Sequence, residues 1–443
     1  MRIGNIQARR VGVTLGAVAL VAAALPGAVA AQDGDPVAVC ELAYYTGEFG
    51  AYGPSLTNDV VFPVEAIINN DPPLGRTWDL YHEDLGTNGE AQAYRSCVEQ
   101  HGAEVVVSIA HGYRTYRDAF LENVAETGSP VSPSVHGGAI PGNLGGSDAE
   151  PIFRAQGLDE ALGHGGVQYA SDIGASDVVI FATQVEGFQL AANGAEQAAP
   201  AAGLNVVARI DVPAEQPSYR AEAQRIADLD PDAVIVQAGS VESATLIKQA
   251  AEAGLSTNWI GETGWILNEF IDTLGTEPIA DQESIGFAAF APNTDSPAWD
   301  AYSAAWNEAV DTEEFGGPED QYHFSTYDVL VQTALAAEAA GTFEASAWAP
   351  AMFEVGEAPG EVCYTYDSCL ALIRDGQDID YEGVTGPGTY SSGGVNVVRS
   401  AYTPFNDDGS TGEPVILDSD ALLALSDAAK TEAECDENGT CTW

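Results

Sequence analysis

The chain is expected to be an α/β protein of two Rossmann-like lobes, each a parallel sheet flanked by helices. Three observations predict this. Short β-branched runs alternate with Ala-rich amphipathic stretches along most of the sequence. The alternation runs through two similar series in succession, which meet near residues 153–157. A length of 443 residues exceeds what one ordinary core holds, so two domains are expected.

The first series opens with the apolar run Val37-Ala38-Val39-Cys40-Glu41-Leu42-Ala43, then Thr46-Gly47-Glu48-Phe49-Gly50-Ala51-Tyr52-Gly53, then a helical stretch over 56–69. Strand, Gly-rich turn and helix make the first crossover of a parallel sheet, where ligands sit against helix N-termini. The turn carries two aromatics, Phe49 and Tyr52, and no phosphate-cradling pattern, which favours a small organic ligand over a nucleotide. Strands are expected at 78–82, 105–109 and 130–134, with helices at 90–101 and 116–126 between them. The second series has helices at 158–173, 188–201, 219–227 and 242–253, with strands at 178–181, 206–210, 233–237 and 259–261. Residues 153–157 and 284–289 read as crossings that join one series to the next. Long helices over 297–309 and 326–340 follow, then a Cys-bounded loop, a short helix near 371–375, Gly-rich hairpin turns at 381–388 and 391–394, and a returning strand at 395–402. The tail beyond Pro414 is acidic, with one helix over 419–429.

Arg2, Arg9 and Arg10 precede an uncharged run over 11–25, then Pro26 and the small residues Ala28-Val29-Ala30. That is the layout of a signal peptide over residues 1–30, and the mature protein is expected outside the cytoplasm. Arg9-Arg10 leaves a twin-arginine route open beside the general one. The first cysteine, Cys40, lies beyond Asp33 and Asp35 and has no lipobox. Six cysteines in an exported chain favour disulfides, and six allow fifteen connectivities. Cys363 with Cys369 and Cys435 with Cys441 would close short loops, which leaves Cys40 with Cys97.

Acidic residues number 67 against 15 basic ones, and only Lys248 and Lys430 are lysine. Loss of the three leader arginines would take the net charge from −52 to about −55. Nucleic acid and anionic membrane surfaces are thereby poor partners. Two readings of the acid excess stay open: adaptation to a salty exterior, or a solubility bias with no salt requirement.

Against this background several segments resemble the type I periplasmic binding proteins, specifically the branched-chain amino-acid-type substrate-binding proteins of ABC transporters. They are Thr46-Gly47 with Ala51-Tyr52-Gly53, Phe153-Arg154-Ala155-Gln156-Gly157-Leu158-Asp159, Ile260-Gly261-Glu262 and Tyr327-Asp328. Cys369-Leu370-Ala371-Leu372-Ile373-Arg374 and Asp378-Ile379-Asp380-Tyr381-Glu382-Gly383-Val384-Thr385-Gly386-Pro387 complete the set. The resemblance covers residues 37 to about 406, and the order of the segments makes it specific. It implies two lobes joined by three crossings, a ligand in the cleft, and closure that a membrane permease recognises. On this basis lobe 1 is expected to be 36–156 plus 287–398, lobe 2 to be 157–286 plus 399–425, and 426–443 an acidic stapled tail.

The resemblance also points to ligand-binding positions. Tyr52 falls where an aromatic covers the ligand. In the loop His111-Gly112-Tyr113, relatives place a small hydroxyl residue for a ligand carboxylate; here backbone N–H groups and His111 would serve. Ser134 and His136 follow the fourth strand. Asp159 and Glu262 stand where the family binds an ammonium group, and together they imply a cationic nitrogen on the ligand. Glu186, Ser240 and Trp265 are expected at the second-lobe rim; Trp265 either sandwiches an apolar group with Tyr52 or packs beneath a loop.

No G-x-S-x-G, H-E-x-x-H or phosphate loop is present, so no enzyme activity, cofactor or metal is expected. Gly163-His164-Gly165-Gly166 lies within a helical pattern and is not a dinucleotide fingerprint. The expected partners are a small amino-acid-like or amide ligand and an ABC permease, with the protein itself a monomer. A sensor module of the same fold, coupled to a signalling partner, is the alternative.

If the acid excess is an adaptation to salt, the urea midpoint of unfolding rises with NaCl, because the Debye length falls to about 3 Å at 1 M. A midpoint that stays fixed across the salt series assigns the excess to solubility alone.

Overall fold

The computed structural model describes residues 34–442 other than 47–49, 51–52, 110–111, 136–137, 139, 397–398, 429–432 and 437–439. The expected leader at 1–30 lies outside the described residues.

Two sheets carry the fold. The first comprises β1 (Val37–Ala43), β2 (Trp78–Asp84), β3 (Val105–Ser108), β4 (Ser132–Ser134) and β5 (Ile152–Arg154), all parallel, in the order β2-β1-β3-β4-β5. The second takes β6 (Asp177–Thr183), β7 (Asn205–Val212), β8 (Ala233–Gln237), β9 (Asn258–Gly261) and β10 (Ser284–Phe290) in the order β7-β6-β8-β9-β10. Both sheets therefore repeat one winding order, reversing direction beside their first strand, where doubly wound sheets leave a crevice at the strand carboxyl ends. A two-stranded parallel ribbon, β11 (Glu361–Cys363) with β12 (Ile379–Tyr381), stands apart. β13 (Ser400–Pro404) joins β10 antiparallel, and β14 (Val415–Ile416) completes that edge.

Burial explains the unbroken apolar runs. In β6, Val179 and Phe181 enter one core cluster of the second lobe, while Val178, Ile180 and Ala182 enter the other. β8 divides the same way, Val234 and Val236 against Ala233 and Ile235. A parallel strand covered on both faces has no polar side to present. Helix packing on one of those faces relies on glycine. A Cβ at Gly163, in the helix Asp159–Asp172, would stand 2.0 Å from the Ala191 carbonyl oxygen, and one at Gly194 would stand 2.4 Å from that of Glu160. Gly163 and Gly194 thus let this helix lie directly on the helix Glu186–Ala198.

Several boundaries differ from expectation. The helix expected at 56–69 is a helix over Gly53–Val61 followed by a π-helical turn, Phe62–Ile67. Pro63 lacks the N–H that a continuous α-helix would use there. The helix expected to start at 326 starts at Gln321, because the Asp320 side chain accepts from the Tyr322 N–H at 2.9 Å and caps it. The strand expected at 395–402 divides between the sheets: Val395 bridges Arg154 beside the first, whereas Ser400–Pro404 belongs to the second. β10 stays in the second sheet to Phe290, held by β9 and then β13, so the chain leaves that lobe after 290 and not at 286. Three segments accordingly cross between the sheets: one after Arg154, one after Phe290 and one between Asn396 and Ser400.

The three disulfides pair as expected, Cys40–Cys97, Cys363–Cys369 and Cys435–Cys441. Two buried charges organise the segments around the crossings. The Arg154 guanidinium donates to the carbonyls of Ile140, Pro141, Leu144 and Gly393. The Asp328 carboxylate accepts from Tyr381 Oη (2.8 Å), Val384 N (2.9 Å) and Thr385 N (2.6 Å). Tyr327-Asp328 and the distant stretch 381–387 are therefore two halves of one hydrogen-bonded unit.

Asp328→Ala leaves three buried donors unsatisfied, and the variant should lose about 3 kcal/mol of unfolding free energy. Urea titration of both proteins checks this, and an unchanged midpoint would refute it.

Candidate functional site

The carboxyl ends of the two sheets supply the candidate residues. In the first lobe β1 ends at Ala43, and the chain turns at once. Asp84 fixes that turn: its Oδ1 accepts from Tyr45 N (3.1 Å), Thr46 N (3.2 Å) and Gly86 N (3.0 Å), and its Oδ2 from Thr46 Oγ1 (2.6 Å). Tyr52 lies outside the described residues, as do His111 and His136.

At the end of β3, Gly112 is the N-cap of the helix Tyr113–Thr127. The Tyr113 side chain is buried; its hydroxyl donates to Glu150 Oε1 at 2.7 Å, and Arg117 clamps that carboxylate through Nε (2.7 Å) and Nη2 (2.8 Å). Gly112 faces a different acid. Glu90 Oε1 accepts from Tyr44 Oη at 3.2 Å, and a Cβ on Gly112 would stand 2.1 Å from Glu90 Oε2. Burial pushes Glu90 up to about 7, against the hydrogen bond from the Tyr44 hydroxyl, and its Oε2 is buried with no hydrogen-bond partner among the described residues. The charge of Glu186, the exposed first residue of the helix Glu186–Ala198, adds to the rise. At the end of β4 the buried Ser134 hydroxyl donates to the Ser108 carbonyl at 2.7 Å.

In the second lobe, Glu262 follows β9 directly. Its Oε2 accepts from Gly264 N at 2.9 Å and caps the 3₁₀ turn Thr263–Ile266. Its Oε1 is buried with no hydrogen-bond partner among the described residues, and burial pushes the group up to about 7. Ser240 holds the same turn from outside, donating to the Gly264 carbonyl at 2.6 Å. Trp265 is wholly buried and lies over Gly261, stacked on Phe270 at 4.4 Å, which stacks on Phe405 at 5.3 Å. Its ring belongs to the core of the second lobe.

Asp159 is buried in the first turn of its helix. Burial raises the phenol of Tyr322, in the first turn of the helix Gln321–Ala340, and Glu262, Asp320 and Asp159 raise it further. Gln321 beside it makes the connection between lobes. Its Oε1 accepts from Thr263 Oγ1 (2.9 Å) and Phe290 N (3.2 Å), and its carbonyl accepts from Gln156 Nε2 (2.8 Å).

Sequence reasoning missed Asp84, Glu90, Gln156, Thr183, Gln237, Gln321 and Tyr322. Thr183, Gln237 and Glu262 close or follow the adjacent strands β6, β8 and β9, and each keeps a buried side-chain oxygen without a partner among the described residues. Gln156 Oε1 and Gln321 Nε2 are in the same condition. One signal was available: a polar residue closes the apolar runs Val178–Ala182 and Ala233–Val236 just before a helix. A cavity of ≈ 980 Å³ shares only Thr263 and Gln321 with this group and lies on the β10–β13 side of the second lobe.

Comparison with known proteins agrees with this architecture. The family model of periplasmic binding proteins matches residues 36–363. Among solved structures, the leucine-binding protein LivK of Thermotoga maritima superposes with a TM-score of 0.67 at 15% identity, covering 87% of this chain and 99% of that one. LivJ of Streptococcus pneumoniae, a branched-chain amino acid transporter substrate-binding protein in complex with isoleucine, gives 0.66 at 18% identity, with 86% and 99% covered. A solute-binding protein of an R. palustris ABC transporter, in complex with benzoate, gives 0.64 at 15%, with 86% and 96% covered. No protein with a curated description matches the chain.

A carboxyl group whose pKa rises on folding favours the folded state as it takes up a proton. For Glu262 that stabilisation is full below its ordinary value near 4.5 and is lost as the pH rises through about 7. Glu262→Gln should flatten the stability profile between those limits relative to the parent; parallel profiles would show that Glu262 titrates normally.

Proposed function

Since the chain belongs to the periplasmic binding protein family, we propose that it is an exported solute-binding protein of an ABC importer. In this reading it binds a small amino-acid-like or amide ligand between its lobes and delivers it, as a monomer, to a membrane permease. No helix among the described residues is long and apolar enough to cross a membrane, consistent with an external carrier that docks on a separate permease.

The observation that carries the binding reading is the row of unpaired buried oxygens on Thr183, Gln237 and Glu262 at neighbouring strand ends. A buried polar atom without a partner costs about 1–3 kcal/mol. A ligand donor entering the cleft removes that cost, which gives the closed state its advantage. Asp159 and Glu262 supply the charge for a cationic nitrogen. Gly112 and Tyr113 offer backbone rather than side chain, while Ser240 and Trp265 act through the turn that carries Glu262. Tyr52, His111, Ser134, His136 and Glu186 complete the proposed wall. The arrangement calls for hinge motion at the three crossings and for no bond-making chemistry.

A thermal-shift screen against amino acids, amides, urea and aromatic acids identifies the ligand, and small-angle scattering with that ligand should show compaction. Asp159→Ala and Glu262→Ala should each weaken an ammonium ligand by about 1.5–3 kcal/mol. Unaltered affinity in both variants would remove these residues from the site, and unaltered scattering with every compound would remove the closure.

A further inference from the structure

Helix N-termini at the carboxyl edge of a doubly wound sheet attract anions, because their unpaired N–H groups and aligned dipoles favour negative charge there. The helix Tyr113–Thr127 begins at such a point, directly after β3, and its 15 residues give it a full dipole. The protein has placed its own anion there. Glu90 stands at the start of the helix Glu90–Glu99 and sets its carboxylate against Gly112, the N-cap, with the Tyr44 hydroxyl on its other oxygen at 3.2 Å. Only glycine leaves room: a Cβ at position 112 would overlap Glu90 Oε2 at 2.1 Å.

The cations on the same elements do not restore an anion site. Arg117 is clamped to Glu150, Arg154 donates to four carbonyls, and Arg114 is exposed with a partner of its own. Across the cleft the charge is again acidic. Glu186, at the start of a second-lobe helix, raises Glu90 further, and Glu262 keeps a buried oxygen with no partner among the described residues. A ligand carboxylate would find its natural seat filled by a like charge and would face further acids opposite.

We infer that the cleft selects a small organic cation that carries no carboxylate, with Glu90 acting as a built-in stand-in for the carboxylate that an amino acid would bring. The inference rests on the interlobe-binding reading and narrows it. Glu262 and Asp159 receive the cationic nitrogen, and Glu90, when ionised, rejects the carboxylated analogue by like-charge repulsion and by filling the space beside Gly112.

The test uses matched pairs that differ by the carboxylate: 3-methylbutylamine and leucine, agmatine and arginine, phenethylamine and phenylalanine, with 4-methylpentanamide as a neutral control. Calorimetry on the full mature chain should find at least one amine bound about tenfold or more tighter than its amino acid, with compaction in scattering. In Glu90→Gln, which keeps the size and removes the charge, the preference should narrow by a similar factor through a gain for the amino acid. An amino acid bound as tightly as its amine, the amide bound in preference to both, or a preference unmoved in Glu90→Gln would each overturn the inference while leaving interlobe binding in place. Failure of every probe to bind or compact the protein would instead bring down the binding reading and this inference with it.

Discussion

Gln321 is the point at which the two lobes are joined. Its side-chain oxygen holds the Thr263 turn of the second lobe and the end of β10, while its backbone carbonyl holds Gln156 of the first crossing. One residue at the head of a long, almost wholly buried helix of the first lobe thus touches two of the three crossings and the loop that carries Glu262. Such a junction cannot be replaced by apolar packing, because the partners are backbone groups and hydroxyls whose bonds are directional. The Nε2 of Gln321 and the Oε1 of Gln156 keep unused hydrogen-bonding capacity there.

The site is built from acids in a chain already rich in them, but the relevant acids differ from the rest by burial. Glu90 and Glu262 are both pushed up to about 7 by burial. Glu262 Oε2 holds the Gly264 N–H and caps a turn, while Glu90 Oε2 is buried beside Gly112 with no hydrogen-bond partner among the described residues. Other buried acids of the first lobe meet histidines: Glu41 Oε2 lies 2.7 Å from His82 Nδ1, and Asp59 Oδ1 lies 3.3 Å from His323 Nε2. The Tyr45 hydroxyl donates to Glu41 Oε2 at 2.6 Å, which ties that pair to the turn fixed by Asp84.

The family marks seen in the sequence have a common physical origin. Phe153-Arg154 and Tyr381–Pro387 are far apart in the chain, yet both serve the crossings, Arg154 by gathering loop carbonyls and the 381–387 stretch by wrapping the Asp328 carboxylate. Residues such as these tolerate few substitutions because each buried charge has several partners at once.

The sequence alone determined the lobe architecture, the winding of alternating strands and helices, and the disulfide partners. These follow from periodicity, spacing and composition, which are local properties of the chain. Only the tertiary structure decided that Tyr113 turns inward to Glu150, that Trp265 packs in the core of the second lobe, and that Glu90 lies on Gly112. It also brought Thr183, Gln237 and Glu262 to one edge from strands dozens of residues apart. Neither helical nor strand periodicity records which polar group faces which across a fold. That depends on the meeting of distant segments, and the burial that makes such meetings matter exists only once the chain has folded.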